Sequence, residues 1–278
     1  MKIMKNKILS TALICTSMAI GFVSCKKDEV VVVAPTVIKE WTVNLSAKNE
    51  NPAPATRSET GNVKLQLLSD NSLNYNLSVT GLAAGDVLNA AHIHVGNVIS
   101  NGGVIVGLDP VFTGSTATGN VKNLRSTFVD SLKNDMNELY FNVHSVQMPG
   151  GLLRGQLNIG IDFVADVMLM GANEVPAVTT NAMGVALLRV TTDKKLYSKI
   201  TVSNLDAGDI LRFAHIHKGA TGVNGPVIID LAMTEADFGV NKVSTLSDVN
   251  YTSLKSEAVY VNAHSVLRGG GLVRGQIR

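Results

Sequence analysis

The six histidines of this 278-residue chain form one pattern that occurs twice. Each copy has a His-x-His pair and, further along, a single histidine. The members are His92, His94 and His144 in the first copy, and His215, His217 and His264 in the second. Because residues i and i+2 of a strand face the same side, each pair would present two imidazoles together. With the third histidine they form a three-nitrogen ligand set suited to copper or zinc, so all six are candidate metal ligands.

A buried polar network is the alternative interpretation of the same segments. In each copy an Asn precedes the third histidine on the same face of its strand, and an Arg-Gly-Gln segment follows a pair of glycines. The glycines predict a tight hairpin that returns the arginine beside the histidine strand. Such groups would satisfy one another and fix the strand register. The candidate network residues are Asn142, Arg154, Gln156, Asn262, Arg274 and Gln276.

Other catalytic arrangements are poorly represented. Ser145 directly follows His144, so their side chains would face opposite sides of a strand, and a Ser-His nucleophile pair is not expected. Asp86 suits a turn cap, while Glu50 is a lone acid without an evident partner for general acid–base chemistry. The sequence has no phosphate-binding loop and no dinucleotide fingerprint. We therefore predict no catalytic residues.

The elements that must position these residues belong to a tandem repeat. Leu82–Leu108 aligns without a gap on Leu205–Leu231, and Tyr140–Leu157 aligns on Tyr260–Ile277. Units of this length are ordinary single domains and are far longer than solenoid repeats. We place domain 1 at residues 38–159 and domain 2 at residues 162–278.

Both units are predicted to be all-β. Segments such as 62–67 and 73–79 alternate apolar and polar residues with period two, with turn residues between them. Helical periodicity is weak, and only single helical turns are expected, within 124–133 and 251–256. Seven or eight short strands per unit with Gly-rich turns imply two tandem Greek-key β-sandwiches.

The composition of the chain limits the classes of molecule that it is expected to bind. The formal net charge is +2 and the basic residues are scattered, so a nucleic-acid partner is not expected. Charged residues make up only 17% of a chain with 25 glycines, which suits a turn-rich extracytoplasmic β protein. The two cysteines, Cys15 and Cys25, are too few for a disulfide scaffold.

The N-terminal segment is typical of a signal peptide over residues 1–24. Basic residues precede an apolar run over 8–23 that is shorter than a membrane span. The end of this run resembles a bacterial lipobox, which implies a lipid on Cys25, a tether over 25–37 and attachment to the membrane through that lipid. An ordinary cleaved signal peptide is the alternative. The lipobox resemblance implies the bacterial cell envelope, at the outer membrane, facing the periplasm or the cell surface.

The repeated motifs resemble the CHRD domain, a module named from chordin and also found in bacterial secreted proteins. Each unit has Asn-Glu-x-Pro, then Ala-His-Ile-His-x-Gly, then Tyr-x-Asn-x-His-Ser and Gly-Leu-x-Arg-Gly-Gln. The resemblance covers residues 38–278 and implies an extracellular β-sandwich. Chordins bind growth factors, so the resemblance favours a binding module for a protein or glycan partner over an enzyme.

A second resemblance is to Cu,Zn superoxide dismutases, which are also β-sandwiches. His-Ile-His before a Gly-rich loop is similar to their copper-ligand strand, and His-Ser before a Gly-rich hairpin is similar to their later copper ligand. This implies the three histidines of each unit as copper ligands, with dismutase-like metal binding as the alternative function. No remaining histidine supplies the metal-bridging ligand, and no zinc-ligand set is present. The resemblance therefore reaches the copper ligands and not the full dismutase site.

Overall fold

The computed structural model describes residues 34–278. The predicted signal peptide at 1–24, Cys25 and most of the predicted tether lie outside the described residues. Residues 34–36 have no regular secondary structure, and the first strand begins at Val37. Within the described part of the chain, no helix has the length and apolar character needed to cross a membrane.

Domain 1 consists of eight strands and one α-helix. They are β1 (Val37–Ser46), β2 (Thr60–Leu68), β3 (Leu73–Thr80), β4 (Leu88–Val95), β5 (Val104–Gly107), β6 (Thr116–Val121), α1 (Ser126–Lys133), β7 (Leu139–Ser145) and β8 (Leu153–Gln156). A single 3-10 turn at Ala47–Asn49 follows β1, and the Ser46 side chain caps it by accepting from the Lys48 amide.

Domain 2 repeats this order of elements. They are β9 (Ile161–Met170), β10 (Met183–Thr191), β11 (Lys195–Ser203), β12 (Leu211–Lys218), β13 (Val227–Ala232), β14 (Lys242–Thr245), α2 (Asp248–Ser256), β15 (Val259–Ser265) and β16 (Val273–Gln276). Two 3-10 turns lie at Gly171–Asn173 and Glu235–Asp237. The predicted class of two tandem all-β domains is confirmed. The two α-helices overlap the predicted helical segments, but with 8 and 9 residues they are longer than the single turns predicted there, and α2 begins before residue 251.

The eight strands of each domain form one continuous antiparallel sheet. The strand orders are β5-β4-β7-β8-β1-β2-β3-β6 and β13-β12-β15-β16-β9-β10-β11-β14. A single residue pair, Ser46 with Arg154, joins β1 to β8 in domain 1, and Met170 with Arg274 joins β9 to β16 in domain 2. This seam divides each sheet into two four-stranded halves. The chain crosses between the halves after β3, β5 and β6, which gives the predicted crossovers of a Greek key.

The two halves of each sheet enclose one hydrophobic core. In domain 1, Val43 and Leu65 of one half cluster with Ile93 and Phe141 of the other, so the sheet is folded over into a sandwich. Burial drives this arrangement because alternate residues of each strand are apolar and face inward. Since Ile93 is fully buried, the flanking histidines of the His-x-His pair lie on the outer face of β4.

A short connection joins the last strand of domain 1 to the first strand of domain 2, and the two domains contact each other within one compact unit. Val98 and Ile99 of domain 1 form a small apolar cluster with Tyr197 of domain 2. The fully buried Arg189 donates a hydrogen bond of 3.0 Å to the backbone oxygen of Glu50. The domains therefore share both apolar and polar contacts.

Candidate metal centre

Strands β4 and β7 carry the three histidines of domain 1. They are antiparallel neighbours, and their register sets His92 opposite Asn142 and Ala90 opposite His144. His144 is thus the diagonal neighbour of His92 on the same face, which is within reach of imidazole side chains. Strands β12 and β15 repeat this register in domain 2, with His215 opposite Asn262 and Phe213 opposite His264. The structure thus brings each histidine trio together.

The distances between the ring nitrogens are compatible with one metal ion per domain. In each trio, one nitrogen from every histidine lies within 4.8 Å of the others. In domain 1, His92 Nδ1 and His144 Nε2 are 3.1 Å apart. Two nitrogens bound to one tetrahedral zinc ion are separated by about 3.3 Å, because the Zn–N bonds are about 2.0–2.1 Å long.

Backbone carbonyls fix the orientation of two histidines in each trio. His94 Nδ1 donates to the Gly102 oxygen at 2.9 Å, and His144 Nδ1 donates to the Pro149 oxygen at 2.9 Å. The proton therefore resides on Nδ1, and Nε2 keeps its lone pair toward the centre of the trio. The domain 2 equivalents are His217 with Gly225 at 2.9 Å and His264 with Gly269 at 3.0 Å. Carbonyl partners of this kind are a regular feature of metal-binding histidines.

Burial favours the neutral form of five of the six histidines. Burial lowers the pKa of each ring in domain 1, and the neighbouring imidazoles lower the pKa of His92 and His94 further. In domain 2, burial likewise lowers the pKa of His215 and His264. A neutral imidazole has a free lone pair, so the protonation state suits metal binding.

Several of the inward-facing nitrogens are buried without a hydrogen-bond partner among the described residues. They are His94 Nε2 in domain 1 and His215 Nδ1, His217 Nε2 and His264 Nε2 in domain 2. A buried polar atom without a partner costs free energy unless another group satisfies it. In domain 2 every histidine of the converging trio has one such unpartnered nitrogen, and this favours a ligand between the rings over a self-contained polar network.

A tyrosine and an arginine support each site from one side. The Tyr140 ring stacks on His94 with the centroids 4.8 Å apart and the planes 9° from parallel. The buried Arg154 guanidinium covers the other face of Tyr140 at 3.6 Å. Tyr260, His217 and Arg274 form the same stack in domain 2. The stack limits rotation of the second histidine of each pair.

The same arginine also holds the loop whose Gly102 carbonyl accepts the hydrogen bond from His94. Arg154 donates to Asn101 Oδ1 at 2.8 Å, to the Ser100 oxygen at 2.9 Å and to the Asn97 oxygen. Burial lowers the pKa of Arg154 to about 10, so the side chain stays charged at neutral pH. In domain 2, Arg274 donates to Asn224 Oδ1 and to the Ala220 and Val223 oxygens.

The other candidate network residues form hydrogen bonds next to the histidines. Asn142 Nδ2 donates to Glu50 Oε1 at 2.8 Å, and Gln156 Nε2 donates to the Gly96 oxygen at 3.0 Å. Burial raises the pKa of Glu50 to about 7. The domain 2 equivalents are Asn262 with Glu174 and Gln276 with Gly219. Glu50 therefore accepts a hydrogen bond from Asn142, which is not a partner for acid–base chemistry.

Sequence reasoning did not identify two contributors to the site. Tyr140 opens the repeated Tyr-x-Asn-x-His-Ser motif, which is the signal that could have identified it. Gly102 belongs to the Asn-Gly step after the His-x-His pair, and its role in accepting from His94 depends on the loop conformation.

Ser145 and Asp86 lie on the opposite side of β7 from the histidines. Ser145 Oγ donates to Asp86 Oδ2 at 2.7 Å, so Ser145 makes no contact with the imidazole of its neighbour His144. Asp86 also accepts from the amide of Gln147 and from the side chain of Arg57. Hydrogen bonds from these donors outweigh the effect of burial and lower the pKa of Asp86 to about 2. Asp86 thus connects the start of β4 to the end of β7, which is more than the predicted local cap.

The tandem β-sandwiches define a pair of extracellular-type binding modules. The sequence profile of the CHRD domain matches residues 41–157 and 165–277. The chain therefore belongs to the CHRD-domain family, as its motifs predicted. No curated protein and no solved structure matches the chain. The resemblance to Cu,Zn superoxide dismutases thus rests on the histidine motifs alone.

Proposed function

We propose that each CHRD domain binds one transition-metal ion, copper or zinc, through its three histidines. The observation that carries this proposal is the convergence of His215, His217 and His264 in domain 2, each of which has one buried ring nitrogen without a hydrogen-bond partner among the described residues. Burial that disfavours the protonated rings of His94 and His264, and tautomers held by backbone carbonyls, support it in both domains.

Three nitrogen donors leave a coordination position free for water or another small ligand. Zinc takes this arrangement in His₃ sites, and imidazole is equally a good ligand for copper. The buried acids Glu50 and Glu174 bond to Asn side chains and supply no ligand to either trio in the described geometry. The ion would therefore be held by neutral donors only.

Metal content tests the proposal directly. The purified protein, loaded with Zn(II) or Cu(II) and passed over a desalting column, should retain two ions per chain by elemental mass spectrometry. His94→Ala and His217→Ala should each retain one ion, and the double variant none, because each substitution removes one of the three nitrogen ligands of its trio. Asn74→Ala, on the other half of the domain 1 sheet, is the control and should retain two. Retention of none by the wild type would contradict the proposal.

We further propose that the protein is anchored by a lipid on Cys25 at the bacterial cell envelope. The support is the sequence of residues 1–25 alone. The wild type should fractionate with membranes, and Cys25→Ala should appear in the soluble fraction. Equal membrane association of both proteins would contradict lipid anchoring.

Binding of a protein or glycan partner is a second candidate function, and CHRD family membership favours it. Affinity capture from envelope extracts with the wild type and with the His94→Ala/His217→Ala variant separates the two candidates. A partner that binds both equally would act independently of the histidines. A partner lost with the histidines would bind through the metal centre.

A further inference from the structure

The two histidine sites differ in the residue that lies opposite the first histidine of the trio. Strand β5 places Gly107 opposite His92, whereas β13 places Asp230 opposite His215. Asp230 Oδ1 lies 3.7 Å from His215 Nε2. A Cβ atom added to Gly107 would lie 4.0 Å from His92 Cδ2, so the position in domain 1 has room for a side chain.

In domain 1, the ligand nitrogen of His92 is already engaged. His144 Nδ1 donates to the Pro149 oxygen, so His144 Nε2 is an acceptor. The 3.1 Å contact between His92 Nδ1 and His144 Nε2 therefore requires the proton of His92 to reside on Nδ1. A metal ion can bind both nitrogens only after this hydrogen bond breaks and His92 changes tautomer.

In domain 2, the corresponding nitrogen is free to bind. His215 Nδ1 is buried and has no hydrogen-bond partner among the described residues. The carboxylate of Asp230 faces Nε2 of the same ring, which favours the tautomer with the proton on Nε2. His215 Nδ1 then has a free lone pair, as do Nε2 of His217 and Nε2 of His264, and the three rings offer nitrogens within 4.8 Å of one another.

We propose that Asp230 is a positioning residue that sets the metal-ready tautomer of His215 and makes domain 2 the tighter metal site. The inference rests on the proposed function. Carboxylate partners of metal-bound histidines typically change metal affinity about 10- to 100-fold. The domain 2 site should accordingly bind Zn(II) at least about tenfold more tightly than the domain 1 site.

Single-site proteins measure this difference. In the full chain, His94→Ala leaves the domain 2 site and His217→Ala leaves the domain 1 site, and each is titrated with Zn(II) against a chromophoric chelator. Adding Asp230→Gly to the domain 2 site should raise its Kd about tenfold, and Asp230→Glu should restore most of the affinity. Adding Gly107→Asp to the domain 1 site should lower its Kd.

A control and a spectroscopic readout separate positioning from a general effect of charge. The charge of Asp109 is close enough in space to act on His92, but Asp109 forms no ion pair with it among the described residues, so Asp109→Gly should leave the domain 1 Kd within about twofold. In the metal-free protein, ¹⁵N NMR of the imidazoles should report the Nε2–H tautomer for His215. Asp230→Gly should shift His215 toward the Nδ1–H tautomer that His92 adopts.

The possible results have distinct meanings. Equal Zn(II) constants for the two single-site proteins, or a constant for domain 2 that Asp230→Gly leaves unchanged, would overturn this inference while the proposed function stands. Failure of the wild type to hold any Zn(II) would overturn the proposed function, and the inference with it. A domain 2 advantage that follows Asp230 and the tautomer of His215 supports both.

Discussion

At the scale of single residues, Glu50 carries a carboxyl group that folding removes from water. The buried Arg154 and the hydrogen bond from Asn142 lower the pKa of Glu50, but burial dominates and raises it to about 7. Glu174 in domain 2 has equivalent surroundings and the same raised pKa. Between about pH 4.5 and pH 7, these two carboxyl groups therefore hold protons in the folded protein that they have released in the unfolded chain.

This proton difference predicts how the stability of the protein depends on pH. At Glu50 and Glu174 the folded state binds more protons in this window, so their contribution to the free energy of unfolding should fall as pH rises from about 4.5 to about 7 and level off above. The histidines whose pKa is lowered by burial act in the opposite direction below about pH 6.5, so the contribution of Glu50 is isolated by comparison with a variant. Glu50→Gln keeps an acceptor for Asn142 and removes the charge. It should therefore recover about 3 kcal/mol at pH 8 and change little at pH 4.5. Urea unfolding at both pH values measures the effect.

The exposed Glu235 provides the control for this prediction. Glu235→Gln should leave the difference in unfolding free energy between pH 4.5 and pH 8 within about 0.5 kcal/mol of the wild type. A Glu50→Gln protein with the pH dependence of the wild type would show that Glu50 ionises in the folded state as easily as in water.

The histidine trios could be predicted from sequence because residue type and a spacing of two determine which rings share a face of a strand. The residues that contact those rings could not be predicted in this way. Tyr140 meets His94 through the register of β4 and β7, and Gly102 meets it through a loop that Arg154 holds. Register and loop conformation are set by the whole domain, and local sequence pattern does not contain them.

At the scale of elements, one seam closes each sandwich: β1 meets β8 in domain 1, and β9 meets β16 in domain 2. Gly155 of β8 lies against β1, and a Cβ atom added there would stand 2.3 Å from the Asn44 oxygen and 2.7 Å from Val43 Cγ1. The approach is possible only because glycine has no side chain. Gly275 makes the same approach to β9 in domain 2.

Gly155→Ala should therefore separate the two strands and destabilise domain 1 by about 3 kcal/mol, since backbone atoms cannot move aside as a flexible side chain would. Gly150→Ala is the matched control, because a Cβ atom there meets nothing within 4 Å. It should change the stability by less than about 0.5 kcal/mol. Chemical denaturation compares the two, and equal stabilities would show that the seam tolerates a side chain.

The alternating strands β2 and β3 and the hairpin between them could be predicted from their period of two. The short strands β6 (TATGNV) and β14 (KVST) were not predicted, because four to six mostly polar residues carry no clear alternation. The single continuous sheet was also not predicted. Its two halves join through one residue pair, and the pattern of apolar and polar residues in neither strand indicates that pair.

At the scale of the whole molecule, Arg189 couples the two domains. Its side chain is fully buried, forms an ion pair with Asp166 of its own domain and donates to the backbone oxygen of Glu50 in the other. Gln66 occupies the matching position in β2 of domain 1, five residues after the strand glycine in both cases. Arg189→Gln therefore gives domain 2 the residue that domain 1 already has.

We expect Arg189→Gln to uncouple the unfolding of the two domains. Each domain has its own hydrophobic core, so loss of the polar contact at the interface should allow the less stable domain to unfold first. The first transition should lose about 2–3 kcal/mol, because the substitution leaves buried groups without their partner. Scanning calorimetry would show this as two transitions, or as a calorimetric enthalpy above the van't Hoff enthalpy.

Arg268 supplies the control for this coupling, since it pairs with Asp206 at 3.5 Å within domain 2 and is partly exposed. Arg268→Gln removes the same charge from the same domain, and a partly exposed pair contributes only about 0–1 kcal/mol. Its unfolding should therefore keep the cooperativity of the wild type. If both variants unfold with the same ratio of enthalpies, the interface contact of Arg189 does not couple the domains.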